Sequence, residues 1–208
     1  MTPLRLSVPP GRAGRLWLVQ RLDTARRGAD LLDRKLRILE AELTRRQAAA
    51  ARTAARWDQC QADAQAWLLR AALSGGERAI RLADDGQAAD VTISYESTMG
   101  LRYPGQATCS RPAVTTWDGP LVAGVRQAHL AALTAAAGHA AAVTAVRVVG
   151  DEVETTRYRV RAIQDRWIPG LEQALASVTF TLEELERADA ARLRLAGRPA
   201  GTRRFSSC

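Results

Sequence analysis

At 208 residues, with 25% charged and 47% hydrophobic side chains, the chain has the balance of an ordered protein, and wholesale disorder is excluded. Aromatic residues make up only 5% while alanine is abundant, which favours packed helices over a large globular core. The net charge of +8 is unevenly placed: residues 1–57 hold thirteen basic and five acidic side chains, residues 58–194 hold fourteen and seventeen, and the tail adds three arginines. If the chain folds back on itself, both basic segments meet at one tip. Nucleic-acid binding is the first reading of such a charge, but these arginines share their segment with acids and lack interleaved aromatic residues.

Met1 to Gly11 carries Pro3, Pro9 and Pro10 and reads as an extended lead-in, with helix starting just after Pro10. The stretch from Arg12 to Trp67 organises the rest. Its stripe runs through Leu22, Ala25, Ala29, Leu32, Leu36, Leu39, Leu43, Arg46, Ala50, Thr53, Trp57, Cys60, Ala64, Trp67 and Ala71. Each step is three or four residues, the spacing of a coiled-coil seam. Such a helix leaves its stripe in water unless a partner covers it. Gly28 inside it costs about 1 kcal/mol against alanine, so close approach of another chain is expected there. Ser74-Gly75-Gly76 reads as the helix terminator, which places the first helix at residues 11–74 and gives it a length of about 95 Å.

The middle changes character. Asp84-Asp85-Gly86 is a turn signal, and Val91, Ile93 and Tyr95 alternate with polar residues as a strand does. Met99 to Gly105 follows, then a second β-prone stretch from Thr108 to Trp117, interrupted by Pro112. A small β-hairpin within an insert at residues 78–119 is the simplest account. Helical signal returns after Pro120, with a stripe of Val146, Val149, Val153, Val160, Ile163, Trp167, Leu171, Val178, Leu182 and Leu185. Pro169 removes one hydrogen bond and predicts a kink, and the four-residue steps around it predict locally looser supercoiling. Gly197 and Pro199 mark the stop, so the second helix is placed at residues 120–197 and a basic tail at 198–208. The fold expected is a single elongated, mainly α domain. Its two terminal helices form a long antiparallel coiled coil, interrupted by the β-hairpin insert.

No catalytic constellation emerges. Leu73-Ser74-Gly75-Gly76-Glu77 looks like the signature loop of ABC-type ATPases, but no P-loop accompanies it and the sole lysine, Lys35, lies inside a helix. His129 and His139 are ten residues apart on an alanine-rich helix and are expected to face solvent. Asp84, Asp85 and Asp90 match no EF-hand, Glu183, Glu184 and Glu186 read as a solvated face, and Ser97 and Ser110 lack a triad context. Cys60, Cys109 and Cys208 form no CxxC or zinc pattern, which points to a reducing compartment, with Cys60 a small core residue. Neither a run of about twenty apolar residues nor a signal-peptide core is evident, so a cytoplasmic chain is expected, held at a membrane only through partners. No cofactor or metal is expected.

Three motifs then occur in order. Arg26-Arg27-Gly28-Ala29-Asp30-Leu31-Leu32-Asp33-Arg34-Lys35-Leu36 resembles a segment near the start of the D subunit of V/A-type rotary ATPases. Thr98-Met99-Gly100-Leu101-Arg102-Tyr103-Pro104 is similar to that family's hairpin. Thr156-Arg157-Tyr158-Arg159-Val160-Arg161-Ala162-Ile163, followed by Ile168-Pro169-Gly170-Leu171-Glu172, looks like its C-terminal helix. Arg161 stands where the family has asparagine, and Gly170 where it has a basic residue. The resemblance implies a non-catalytic central-stalk rotor, the shaft between a hexamer of catalytic and non-catalytic ATPase subunits and a membrane ring that moves protons or sodium ions. It implies as partners the small F subunit of the stalk and the socket subunit joining the membrane ring, with no nucleic acid and no direct membrane insertion. Arg12, Arg15, Arg26, Arg27 and Arg34, with the tail residues Arg203 and Arg204, are the expected hexamer contacts. The competing class is a free-standing basic coiled-coil scaffold or a nucleic-acid-binding protein, which predicts partners lost steeply with salt.

Overall fold

A computed structural model describes residues 7–82, 88–111 and 119–196. The described chain is mainly helical. Helix α1 spans Gly11–Leu82, strands β1 (Asp90–Thr98) and β2 (Leu101–Ser110) form one antiparallel pair, and helices α2 (Pro120–Ala162) and α3 (Ile168–Ala196) follow. A five-residue π-helical turn, Ile163–Trp167, joins α2 to α3. Two units are distinguished, one of Met1–Asp33 with Tyr158–Cys208 and the other of Arg34–Arg157.

In the first unit α1 and α3 run antiparallel. Moving along α1 from Arg12 to Arg26, the ion-pair partners retreat along α3 from Glu186 to Glu172. Buried Leu18, Leu22 and Leu171 form its core, with Trp17, Ala25, Trp167, Ile168 and Val178 packed around them. Helix α1 begins at Gly11, immediately after the two prolines as expected, and Gly11 takes a φ of +73° that suits glycine. The lead-in turns back on the first helical turn. A Cβ at Gly14 would overlap the Pro9 carbonyl oxygen, so the close approach there requires glycine.

The second unit pairs α1 with α2 and lays the hairpin against them. Leu39, Tyr103, Ala145, Val149 and Val153 are its buried cluster, flanked by Leu36, Leu43, Leu101 and Val148. Each stripe residue named between Leu22 and Ala71 is buried or half-buried, so the seam read from spacing is the seam used. Small residues admit large ones across it: a Cβ at Gly124 would meet the Trp67 ring at 2.5 Å. On α2 the stripe holds from Val149 to Val160, and on α3 it has opened by Leu185, which is 56% exposed. Thr156 occupies a seam position, fully buried, and its hydroxyl has no hydrogen-bond partner among the described residues. A buried hydroxyl without a partner costs its desolvation. Thr156→Val, nearly equal in shape, should therefore stabilise the protein by about 1 kcal/mol, read as a higher urea midpoint at unchanged m-value.

Several expectations are corrected. Helix α1 does not stop at Ser74-Gly75-Gly76 but continues to Leu82. Two glycines penalise a helix by about 2 kcal/mol without forbidding it, and beyond them Ile80 is half-buried, lining a cavity with Leu68, Val122 and Val125. Among the described residues Gly28 receives no close neighbour, since a Cβ there would meet nothing within 4 Å. The second strand is Leu101–Ser110, earlier than the stretch from Thr108 to Trp117, because Met99-Gly100 forms the turn. Both turn residues have positive φ, 51° and 79°, the signature of a type I′ hairpin turn. Near Pro169 the irregularity takes the form of a π-turn, with the Ile168 N–H donating to the Ile163 carbonyl. A proline ring crowds the carbonyl four residues earlier, and widening the turn relieves that clash. Within Pro120–Ala196 an 18-residue window is apolar enough by composition to cross a membrane, with 17% of it buried. Alanine supplies much of the apolar content of this helix, including the buried residues Ala135, Ala141 and Ala145. Asp84, Asp85, Pro112, Trp117, Arg203, Arg204 and Cys208 lie outside the described residues.

Candidate functional site

Three of the five described arginines expected as contacts lie in ion pairs within their own unit. Arg12 donates to Glu186 at 2.8 Å, Arg26 to Glu172 at 2.7 Å and Arg27 to Asp23 at 2.6 Å, all with well-exposed side chains. Arg15 lines an open groove of about 630 Å³ with Arg12, Leu16, Val19, Leu182 and Glu183. Arg34, exposed, belongs to the second unit. Among the described residues this surface mixes both signs of charge with the exposed apolar side chains Leu16 and Phe180. Exposed pairs of this kind contribute about 0.2–1 kcal/mol each and can exchange partners at little cost.

The motif residues fall into clamping, core, outward-facing and turn positions. Lys35 pairs with Glu152 at 2.5 Å, both half-buried, and Arg157 bridges Glu40 at 2.8 Å and Glu154 at 2.6 Å, so this segment clamps α1 to α2. The Glu40 hydrogen bond and the neighbouring carboxylates hold the Arg157 guanidinium above its ordinary pKa. Leu36, Ile168 and Leu171 enter the cores, and Leu32 is half-buried. Asp30, Leu31, Ala162 and Pro169 face outward, with Leu31 64% exposed. Met99 and Gly100 make the hairpin turn, and Pro104 stands opposite Tyr95.

The hairpin is held by a polar clasp that spacing did not reveal. Buried Glu42 accepts hydrogen bonds from Arg46 at 2.6 Å, from the Tyr103 hydroxyl at 2.9 Å and from Arg45. Arg46 also pairs with Glu96 of β1 and lies over the Tyr103 ring, 4.7 Å from its centroid. The Tyr103 oxygen is 2.8 Å from the Thr98 hydroxyl. Glycine at 105 makes room for this arrangement, because a Cβ there would meet the Glu96 carboxylate at 2.6 Å. At the bulge between Ile93 and Tyr95, the Ser94 hydroxyl receives the Gln106 N–H at 3.0 Å and donates to its carbonyl at 3.2 Å, replacing ladder bonds. His139, expected in solvent, is half-buried. It stacks on Trp57 at 5.6 Å, with Nδ1 3.2 Å from the Thr53 hydroxyl. That hydroxyl also lies 2.9 Å from the Ala50 carbonyl oxygen.

Burial raises the Glu42 carboxyl, but hydrogen bonds from Arg46, Tyr103 and Arg45 outweigh it and leave the group below its ordinary value. Burial likewise opposes the Arg46 charge, and its bonds to Glu42 and Glu96 prevail. A carboxyl depressed in the folded state stabilises above its unfolded pKa and loses that contribution as pH falls through the folded value. Hairpin docking should therefore hold at neutral pH and weaken below about pH 4. Glu42→Gln should flatten that dependence in urea titrations at pH 3–7.

A family model for the D subunit of ATP synthase matches residues 16–198, nearly all of the described chain. The chain belongs to the ATP synthase D-subunit family. No curated protein matches it. The match supports the D subunit of the V/A-type ATPases, a stalk-subunit family of the rotary ATPases. For a D subunit, the arrangement is one of clamps and seams. Among the described residues no group of three or more His, Cys, Asp or Glu side chains could hold a metal ion. The signal for the clasp was Arg46 itself, a charge at a seam position, and Thr53 likewise marked His139.

Proposed function

We propose that this chain is the central-stalk shaft of a V/A-type rotary ATPase, carrying torque between the catalytic hexamer and the membrane ring that moves protons or sodium ions. It takes no part in the chemistry of ATP. It turns with the small F subunit, seats in the socket subunit of the membrane ring and stays on the cytoplasmic side without entering the bilayer. The observation that carries the reading is the match to the D-subunit family together with the cross-helix ties in each unit. Arg12–Glu186 and Arg26–Glu172 tie one unit, and Lys35–Glu152 and Arg157–Glu40 tie the other. Such ties, added to packed seams, resist the sliding of one helix along the other that an applied torque would produce. Exposed, partner-switching arginines suit a surface that meets three equivalent subunits in turn, because no single contact there should be strong. The test is purification of the chain from its native host. Stoichiometric recovery with ATPase subunits is expected, and recovery without them overturns the reading.

A further inference from the structure

The hairpin is asymmetric. Strand β2 leans on the helices through buried Tyr103 and half-buried Leu101, whereas every residue of β1 from Asp90 to Ser97 is exposed. Among the described residues the sheet has only these two strands, so one full edge of β1 has no ladder partner. Exposed edges are normally blunted by lysine, proline, a bulge or shortness. Strand β1 is weakly protected: it is nine residues long and contains no Lys, Arg or Pro, its two charges are Asp90 at its first position and Glu96, which is paired with Arg46, and the extra residue of the bulge lies in β2. Val91, Ile93 and Tyr95 fall on one face by alternation and are 48%, 43% and 52% exposed. Beside them the Arg102 guanidinium sits 4.4 Å from the centroid of the Tyr95 ring. No carboxylate among the described residues forms an ion pair with it.

We propose that the free edge of β1 takes an extended strand from another subunit of the same stalk. Main-chain hydrogen bonds continue the sheet, apolar side chains of the partner cover Val91, Ile93 and Tyr95, and a partner carboxylate meets Arg102. This rests on the stalk reading in one respect. A ladder of directed bonds fixed in register suits a partner that turns with the shaft, not one the shaft sweeps past. A second copy of this chain fits poorly, since each copy carries a net charge of +8.

Hydrogen exchange of β1 in the complex purified from the native host, compared with the isolated full chain, tests the proposal. Alternate amides between Asp90 and Ser97, those pointing away from β2, should exchange at least tenfold more slowly in the complex. A photo-crosslinking residue at Thr92 should join one extended segment of another subunit. Ile93→Lys should raise the partner's dissociation rate at least tenfold with helix content unchanged. Unchanged exchange in a complete complex, protection without alternation, or crosslinks between two copies of this chain would overturn strand addition while leaving the stalk reading intact. Recovery without any ATPase subunit would overturn the stalk reading and the co-rotating partner together.

Discussion

Tyr103→Ala releases the hairpin from the helix pair, at a cost of about 4 kcal/mol of docking free energy. Two losses add. The ring is 1% exposed in the cluster of Leu39, Val149 and Val153, so its removal leaves a cavity. Its hydroxyl also serves Glu42 and Thr98, and without it the buried carboxylate keeps only its arginine donors. Because an isolated two-stranded hairpin is marginal in water, the damage stays local. Amides of β1 and β2 should lose protection from exchange while those flanking Leu18 and Leu22 keep theirs. Tyr103→Phe, which retains the ring, should cost about 1–2 kcal/mol. Global unfolding of both units by Tyr103→Ala, or no change in hairpin protection, would contradict this account.

Leu171→Ala should destabilise the first unit by about 3 kcal/mol. Leu171 is the first fully buried side chain after the π-turn, 1% exposed against Leu18 and Leu22. Ile168 and Trp167 lie beside it, so the cavity would open where the helical hydrogen bonding is already irregular and collapse is least able to fill it. Leu185→Ala, on the same helix at 56% exposure, is the internal control and should change stability by less than about 0.5 kcal/mol. Denaturant unfolding of the two variants separates the cases, and equal effects would show that the seam does not run through Leu171.

Much of the architecture was legible because a coiled-coil seam is written in local spacing. Leu22, Leu39 and Ala71 needed only their intervals to be placed inward, and all three are buried. The polar interruptions were informative in a different way. Arg46 and Thr53 break the apolar stripe, and each turns out to reach across to another element, Arg46 to Glu96 and Tyr103, Thr53 to His139. Spacing shows that a polar residue sits on a seam; it carries no information on what meets it from a distant part of the chain. The same limit explains the hairpin. Alternation at Val91, Ile93 and Tyr95 identified a strand, but register depended on a turn at Met99, a residue not usually found at positive φ. The extension of α1 beyond Ser74-Gly75-Gly76 was missed because propensity was weighed without the partial burial of Ile80. The proposed contact arginines were visible as charges, yet their acidic partners Glu172 and Glu186 lie on α3, more than a hundred residues away.

The nesting of the ion pairs has a consequence for how the chain assembles. Their sequence separations shrink steadily, from 174 residues for Arg12 and Glu186, through 146 for Arg26 and Glu172 and 117 for Lys35 and Glu152, to 86 for the hydrogen-bonded Thr53 and His139. Loop-closure entropy favours the innermost contacts first, so pairing zips outward from the middle of the sequence toward its two ends. During synthesis the opposite segment emerges earliest. Leu18 and Leu22 leave the ribosome about 150 residues before Leu171, at 5–20 residues per second. For roughly 8–30 seconds at that rate, Leu18 and Leu22 are without the side chain that buries them in the folded unit.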